Sequence, residues 1–352
     1  MNSPQPPSSS APIFIIGTER SGSNLLRLIL NSHQHICVPH PPHIMFYFHE
    51  IEAGYGDLEN DTNLRRLIKD VGQLIHLHIY PWEIAPSVAE VLPLVQPKNL
   101  FGVFTAYYDL YLKFRNKQRW GCKSTFMIHH ADRILDKYPA AKLLWLVRDP
   151  RDVAVSSKKS VFNPCHPYLT AELWNKQQQL GHDLEQRLTK NNLLRLRYED
   201  LITQPENWCH KICEFLEEPF DPAMLRFFET DDAKKGGGLS ESWVNHSRPI
   251  MSDNFGKFRK ALSQQEIEWI EAASGPLMKE LGYPLEYPDQ QQKISDSDIY
   301  AFKKADRLCR LGIEYRSLLK DKNHWMRWKR AIYMTFLKMV RNKRNPSGTQ
   351  KE

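Results

Sequence analysis

The chain has no CxxC pair, none of the cysteine density that staples small secreted domains, and no run of about 18 apolar residues that could cross a membrane. Its six cysteines, Cys37, Cys122, Cys165, Cys209, Cys213 and Cys309, are scattered and read as reduced thiols. Cys209 and Cys213 fall one helical turn apart, but His210 points elsewhere on such a helix, so no metal centre is expected. The first ten residues, MNSPQPPSSS, lack the basic stretch and apolar core of a secretion signal and read as a disordered tail. Together these absences predict a soluble, cytoplasmic protein. Zinc-knuckle spacing and aromatic RNA-binding signatures are also missing, and much of the net charge of +7 lies in the last segment, so nucleic acid is not an expected partner.

What remains is an ordinary globular composition, 41% hydrophobic and 25% charged over 352 residues, enough for one large α/β core with accessories or two smaller cores. Residues 13–16 form a short apolar run between Pro12 and Gly17, the pattern of a strand buried on both faces. The turn GTERSGSN and the amphipathic stretch LLRLILNS follow, giving strand, loop and helix in sequence. Residues 119–124 and 142–147 read as further strands, with a helix between them that stops at Pro139, and residues around 196 as another strand before a helix opening near Pro205. This alternation predicts a P-loop-like parallel sheet flanked by helices over residues 11–285. Residues 50–118 and 160–190 read as mostly helical insertions that wall an acceptor site. Tyr107, Tyr108, Tyr111 and Trp82 there suit either a stacking pocket or a core. The three glycines at 236–238 read as a flexible loop, and residues 286–352 as a linker followed by a basic helical extension.

The segment beginning at Gly17 has the makings of an anion cradle, because backbone N–H groups and a helix N-terminus converge after a buried strand. Arg20, Ser21, Ser23 and Asn24 add donors, and Gly17 and Gly22 permit the tight turn. The glycine spacing matches the start of a Walker A motif, yet Ser23 and Asn24 stand where that motif has Lys and Ser/Thr. A nucleotide donor without a γ-phosphate or a metal requirement accounts for both losses.

Residues 17–26 resemble the 5′-phosphosulfate loop of the sulfotransferase superfamily, in pattern nearest its tyrosylprotein, heparan and bacterial branch, with Glu19 in place of the usual Pro and Asn24 in place of Thr. The resemblance continues in order along the chain. Arg148 at the end of KLLWLVR and Ser156 eight residues on have the spacing of the family's 3′-phosphate element. RYEDL places Tyr198 near the nucleotide, SDNFGKFRKAL offers Lys257 for a donor phosphate, and Lys123 in WGCKST matches a lysine beside the transferring group. The resemblance implies an enzyme that moves a sulfuryl group from 3′-phosphoadenosine-5′-phosphosulfate (PAPS) to an acceptor hydroxyl. The donor would lie on Arg20, Ser21, Gly22, Ser23, Asn24, Arg148, Ser156, Tyr198 and Lys257, with no metal. The acceptor class stays open between carbohydrate, lipid, carrier-tethered hydroxyl, small alcohol and peptide tyrosine.

The family's general base is a Glu after the first helix, and ungapped alignment of HQHICVPHPPHIMF puts Pro41 there. A neutral imidazole near pKa roughly 6.5 can accept a hydroxyl proton, so His43 is the first candidate base and His40 the second, with Glu50 a further option. Arg20 and Lys123 are expected to hold developing charge. Arg151 reads equally as a solvated charge or a ligand contact. Two other readings stand: a P-loop-like kinase or NTPase, and a non-catalytic nucleotide-binding protein motivated by Pro41. Finally, Trp325, Trp328, Ile332, Phe336 and Met339 recur at helical spacing among Lys and Arg. Such a helix usually packs on its own domain, and can otherwise lie on an anionic membrane or dock a carrier protein.

Overall fold

A computed structural model describes residues 11–239, 241–289, 293–321 and 323–342; the tail at 1–10 and residues 290–292 of the linker lie outside these. The chain opens with β1 (Ile13–Gly17), α1 (Ser23–Asn31), β2 (Ile36–Cys37) and α2 (Ile44–Phe48). An insertion carrying α3 (Asp61–His76) and α4 (Leu100–Arg115) leads to β3 (Arg119–Cys122) and β4 (Lys142–Val147). Then come α5 (Pro150–Ser157), α6 (Pro167–Arg187), β5 (Leu193–Arg197), α7 (Pro205–Leu216) and α8 (Gln264–Glu280). Two long helices, α9 (Asp296–Lys320) and α10 (Asn323–Asn342), complete the described chain.

The strands form one parallel sheet in the order β2-β3-β1-β4-β5. Alternation along the central strands divides the core: Ile13, Ile15, Leu144 and Leu146 meet α1 and α7, whereas Phe14, Leu143, Trp145 and Val147 meet the aromatic helical side. Because β1 sits between β3 and β4, the loops leaving the carboxyl ends of all three converge, and that is where open parallel sheets bind ligands.

Several expectations change. Trp82, Tyr107, Tyr108 and Tyr111 are core rather than pocket wall; the Tyr107 hydroxyl donates to the Ile68 carbonyl at 2.9 Å, and Trp82 Nε1 to that of His40 at 2.9 Å. Gly236 and Gly237 are not loop but the end of a short helix, Asp231–Gly237, whose first turn is capped by Thr230. Cys165 and Cys309 are joined as a disulfide with Cα atoms 6.2 Å apart, because α9 packs beside the segment entering α6; the other four cysteines are buried and free. The stripe Trp325, Trp328, Ile332, Phe336 and Met339 is exposed, and α10 packs instead through Met334 and Leu337. The reason is that Arg341 and Tyr333 on this second face pair with Asp70, and Arg330 lies over the Tyr47 ring.

Arg151 is neither solvated nor a ligand contact. Its buried guanidinium donates to Asp149 at 2.7 and 2.9 Å and to Glu271 at 2.9 Å, over the Phe258 ring at 4.2 Å. Glu271 also accepts the backbone N–H groups of Glu286 and Tyr287, so one cation ties α5, α8 and the segment after α8. Removing it strands two buried carboxylates. Arg151→Ala is therefore expected to lower unfolding free energy by about 3–5 kcal/mol in denaturant titrations; a loss below about 1 kcal/mol would show that the network does not anchor these elements.

Candidate active site

The loop after β1 is built to approach a ligand with its backbone. Gly17 (φ 137°) and Gly22 (φ 93°) adopt left-handed conformations, and a Cβ on Gly22 would run into the Tyr198 ring. Between them Arg20 takes φ 70°, a strained value for a residue with a side chain. α1 begins at Ser23 with no side-chain cap, which leaves its first N–H groups facing the loop. Ser21 Oγ and Asn24 Oδ1 are buried without a hydrogen-bond partner. The orphaned Ser21 hydroxyl, an uncapped helix start and a cradle that a side chain would fill together fit an anionic ligand.

Side chains far apart in sequence meet here. Arg20 Nε donates to Ser156 Oγ at 3.0 Å across 136 residues. Arg148 donates to the carbonyl oxygens of Arg20 and Asn254, each at 3.1 Å, and stacks 4.3 Å from the centre of the Tyr198 ring. Asn254 in turn donates to the Tyr198 hydroxyl at 2.6 Å. The 254–258 segment is held by Asp152, whose carboxylate accepts the N–H groups of Gly256 at 2.6 Å and Phe258 at 3.0 Å. These elements enclose a cleft of about 540 Å³, the size of a small-molecule site. Arg20, Gly22, Ser23, Asn24, Arg148, Ser156, Tyr198 and Lys257 all line it, and Ser21 lies buried beneath. Lys159, Arg248 and Asn254 also line it and were missed in the sequence. No motif flags isolated side chains on loops; only the fold gathers them.

At the other end, His43 precedes α2 in the cap position, with φ 56°. Its Nδ1 lies 3.1 Å from Ser124 Oγ. Lys123 reaches back to Glu19 at 3.8 Å, and the Thr125 hydroxyl donates to the same carboxylate at 2.8 Å. Burial alone would raise the Glu19 carboxyl, but Lys123, His43, Thr125 and Arg20 outweigh it and bring its pKa down to about 2. Desolvation first, and the Lys123 ammonium second, push His43 down to about 3 against the pull of Glu19. His43 is thus neutral at physiological pH, with a lone pair to offer. Lys123 is itself lowered by burial, its charge supported by Glu19.

His40 lies among aromatic rings. Its ring is buried against His78 (4.7 Å), Trp243 (4.6 Å) and Tyr80 (5.9 Å), and neither ring nitrogen has a hydrogen-bond partner. Glu50 is not at the site; it is exposed and pairs with Lys338 of α10 at 2.6 Å. Glu19, visible in the sequence only as a departure from Pro, is the carboxylate that adjoins the donor loop, Lys123 and His43. Elsewhere His33, His35 and Glu218 converge, but His33 Nε2 bonds the Pro219 carbonyl and its Nδ1 accepts from the His35 N–H, so the cluster is a hydrogen-bond knot without a free His33 lone pair.

Fold and site together define a P-loop-like α/β protein with a cleft lined by Arg20, Arg148, Lys159, Arg248 and Lys257. The chain belongs to the Sulfotransferase family, whose model matches residues 12–222. It is 22% identical to a protein-tyrosine sulfotransferase of Drosophila melanogaster over 278 residues, 77% of this chain and 51% of that protein, so it spans about half that relative's length. It is also 22% identical to protein-tyrosine sulfotransferase A of Caenorhabditis elegans over 77% of this chain and 67% of that protein. A sulfotransferase domain from the curacin biosynthetic pathway shares the fold, with TM-score 0.53 and 19% identity over 78% of this chain and 98% of that one.

The buried histidines carry a measurable signature. Burial holds His40 and His78 well below 6.5 in the folded protein. The unfolded chain therefore takes up more protons as pH falls below about 6.5, and stability present above that pH is lost by about 1.4 kcal/mol per pH unit for each histidine. The thermal midpoint should fall between pH 7 and 5, with a shallower fall in His40→Phe. A pH slope unchanged by that substitution would mean His40 is not held neutral.

Proposed function

We propose that this protein is a PAPS-dependent sulfotransferase. One observation carries the reading: Arg148 holds the carbonyl of Arg20, 128 residues earlier, and Arg20 in turn donates to Ser156, so that two elements open into one cleft. A nucleotide with a phosphate at its 3′ position and a phosphosulfate at its 5′ position needs two such elements at once. Ser21, Gly22, Ser23, Asn24 and Arg20 would take the 5′ end. Arg148 and Ser156 would take the 3′-phosphate through a guanidinium fork and a hydroxyl on rigid elements, with Lys257 and Tyr198 closing over the nucleotide.

The reaction forms a bond from the acceptor oxygen to sulfur and breaks the bond from sulfur to the 5′-phosphate oxygen, releasing 3′-phosphoadenosine 5′-phosphate. Arg20 and Lys123 would counter charge on the departing oxygen. The acceptor proton would pass to a neutral histidine. His43 is favoured over His40 because it adjoins Lys123, Ser124 and Glu19, whereas His40 is walled in by aromatic rings. The acceptor is a hydroxyl compound; the resemblance to protein-tyrosine sulfotransferases makes a phenolic hydroxyl the first to try.

Calorimetric titration with 3′-phosphoadenosine 5′-phosphate and with Mg-ATP, followed by labelled-PAPS transfer, tests the reading. Arg20→Ala and Arg148→Ala should each weaken binding of the first nucleotide by about 10- to 100-fold. His43→Ala should bind within about threefold of wild type yet lose at least about 100-fold in turnover. Preferential stabilisation by Mg-ATP would favour a kinase or NTPase instead, and donor binding without transfer to any acceptor would favour a non-catalytic nucleotide-binding protein.

A further inference from the structure

α10 faces the body of the protein through Arg330, Met334, Leu337 and Arg341, all buried and all on one side of a 3.6-residue period. On the opposite side Trp325, Trp328, Ile332, Phe336 and Met339, spaced at i, i+3, i+7, i+11 and i+14, are each 49–56% exposed. α9 repeats the arrangement: Phe302, Asp306, Ile313 and Ser317 are buried, whereas Leu308, Leu311, Tyr315 and Leu319 are 64–67% exposed. Scattered apolar residues at a surface need no explanation, but a periodic exposed stripe on each of two consecutive helices does.

Charge selects the occupant. Of the five Lys or Arg on α10, Arg330 and Arg341 are buried, Arg327 pairs with Glu314 and Lys338 with Glu50, while Lys329 is exposed; α9 adds six exposed cations, Lys303, Lys304, Arg307, Arg310, Arg316 and Lys320. From the start of α9 to the end of α10, residues 296–342 hold twelve Lys or Arg against five Asp or Glu, an excess equal to the net charge of +7 for the whole chain. A symmetric contact between two copies would set this cationic surface against itself. An anionic surface would neutralise it, and a bilayer interface also suits two tryptophans with flanking basic side chains. Among the described residues no helix is long and apolar enough to cross a membrane, so contact would be peripheral.

We infer that α10 lies flat on an anionic lipid bilayer, burying Trp325, Trp328, Ile332, Phe336 and Met339 at the headgroup boundary while Lys329 and the exposed cations of α9 meet the lipid phosphates. Two paired substitutions probe it, Trp325→Ala with Trp328→Ala and Ile332→Glu with Phe336→Glu; both lie on the exposed face, so folding, read by the thermal midpoint, and nucleotide binding should be unchanged. The full chain should co-sediment with vesicles of phosphatidylcholine and phosphatidylserine but not with phosphatidylcholine alone. Raising salt should release it, tryptophan fluorescence should shift to the blue on binding, and each pair should cut the bound fraction at least about tenfold. Absence of binding to the mixed vesicles, or binding untouched by the glutamate pair, would overturn the assignment. So would a dimer in light scattering that the glutamate pair dissociates, which would make this face a contact between copies, or retention by an acidic carrier protein but not by lipid.

Discussion

The guanidinium of Arg148 is the tie on which the cleft depends. It leaves the end of β4, holds the carbonyl of Arg20 in the β1 loop, holds the carbonyl of Asn254 in a segment about a hundred residues later, and stacks on Tyr198 from the end of β5. Three chain segments with no local reason to meet are thereby fixed around one charge. Its own carbonyl accepts Trp174 Nε1 at 2.9 Å, so the hub is also secured from α6. Arg20 keeps its left-handed backbone because its carbonyl is pinned here while its side chain is pinned to Ser156. A position strained by about 1–3 kcal/mol persists only where its surroundings over-determine it, and here they do.

The same logic separates residues that build the cleft from residues that face it. Asp149, Arg151 and Glu271 satisfy one another and the adjacent backbone, leaving little capacity for a ligand. Asp152 spends both carboxylate oxygens on the N–H groups of Gly256 and Phe258. Ser21, Asn24 and Arg148 Nε, by contrast, retain buried polar atoms without partners. Buried donors are rarely left unsatisfied, so the free Ser21 hydroxyl and Arg148 Nε at the cleft are consistent with an anion there.

Legibility in the sequence followed the range of the interactions. β1, its loop and α1 were readable because burial alternation, glycine positions and helical periodicity act within a few residues of one another. Arg148 and Ser156 were readable through their resemblance to the family's 3′-phosphate element, a spacing carried by one strand-to-helix turn. β2 is only two residues long, too short to leave a pattern. Cys165 and Cys309, 144 residues apart, carry no local sign of their pairing. On α10 the periodicity announced a face but not which face would be covered. The buried arginines read as solvent-facing until Asp70, some 271 residues away, supplied Arg341 with a partner at 2.6 Å. Glu19 was legible as an anomaly, yet its meaning needed Lys123 and Thr125, which only the sheet brings beside it.

The placement of Glu19 also bears on whether His43 can take up a proton. An ionised Glu19 offsets Lys123 and draws His43 upward, but burial and Lys123 win in the free protein and leave the imidazole a weak base near 3. On the proposed reading, the donor brings several negative charges into the cleft bordered by these groups. An anion nearby favours the protonated imidazole, raising His43 toward the range where it can hold a proton taken from an acceptor hydroxyl. Base strength then belongs to the donor complex rather than to the free protein: proton transfer becomes favourable only when the sulfuryl group is in place to receive the oxygen.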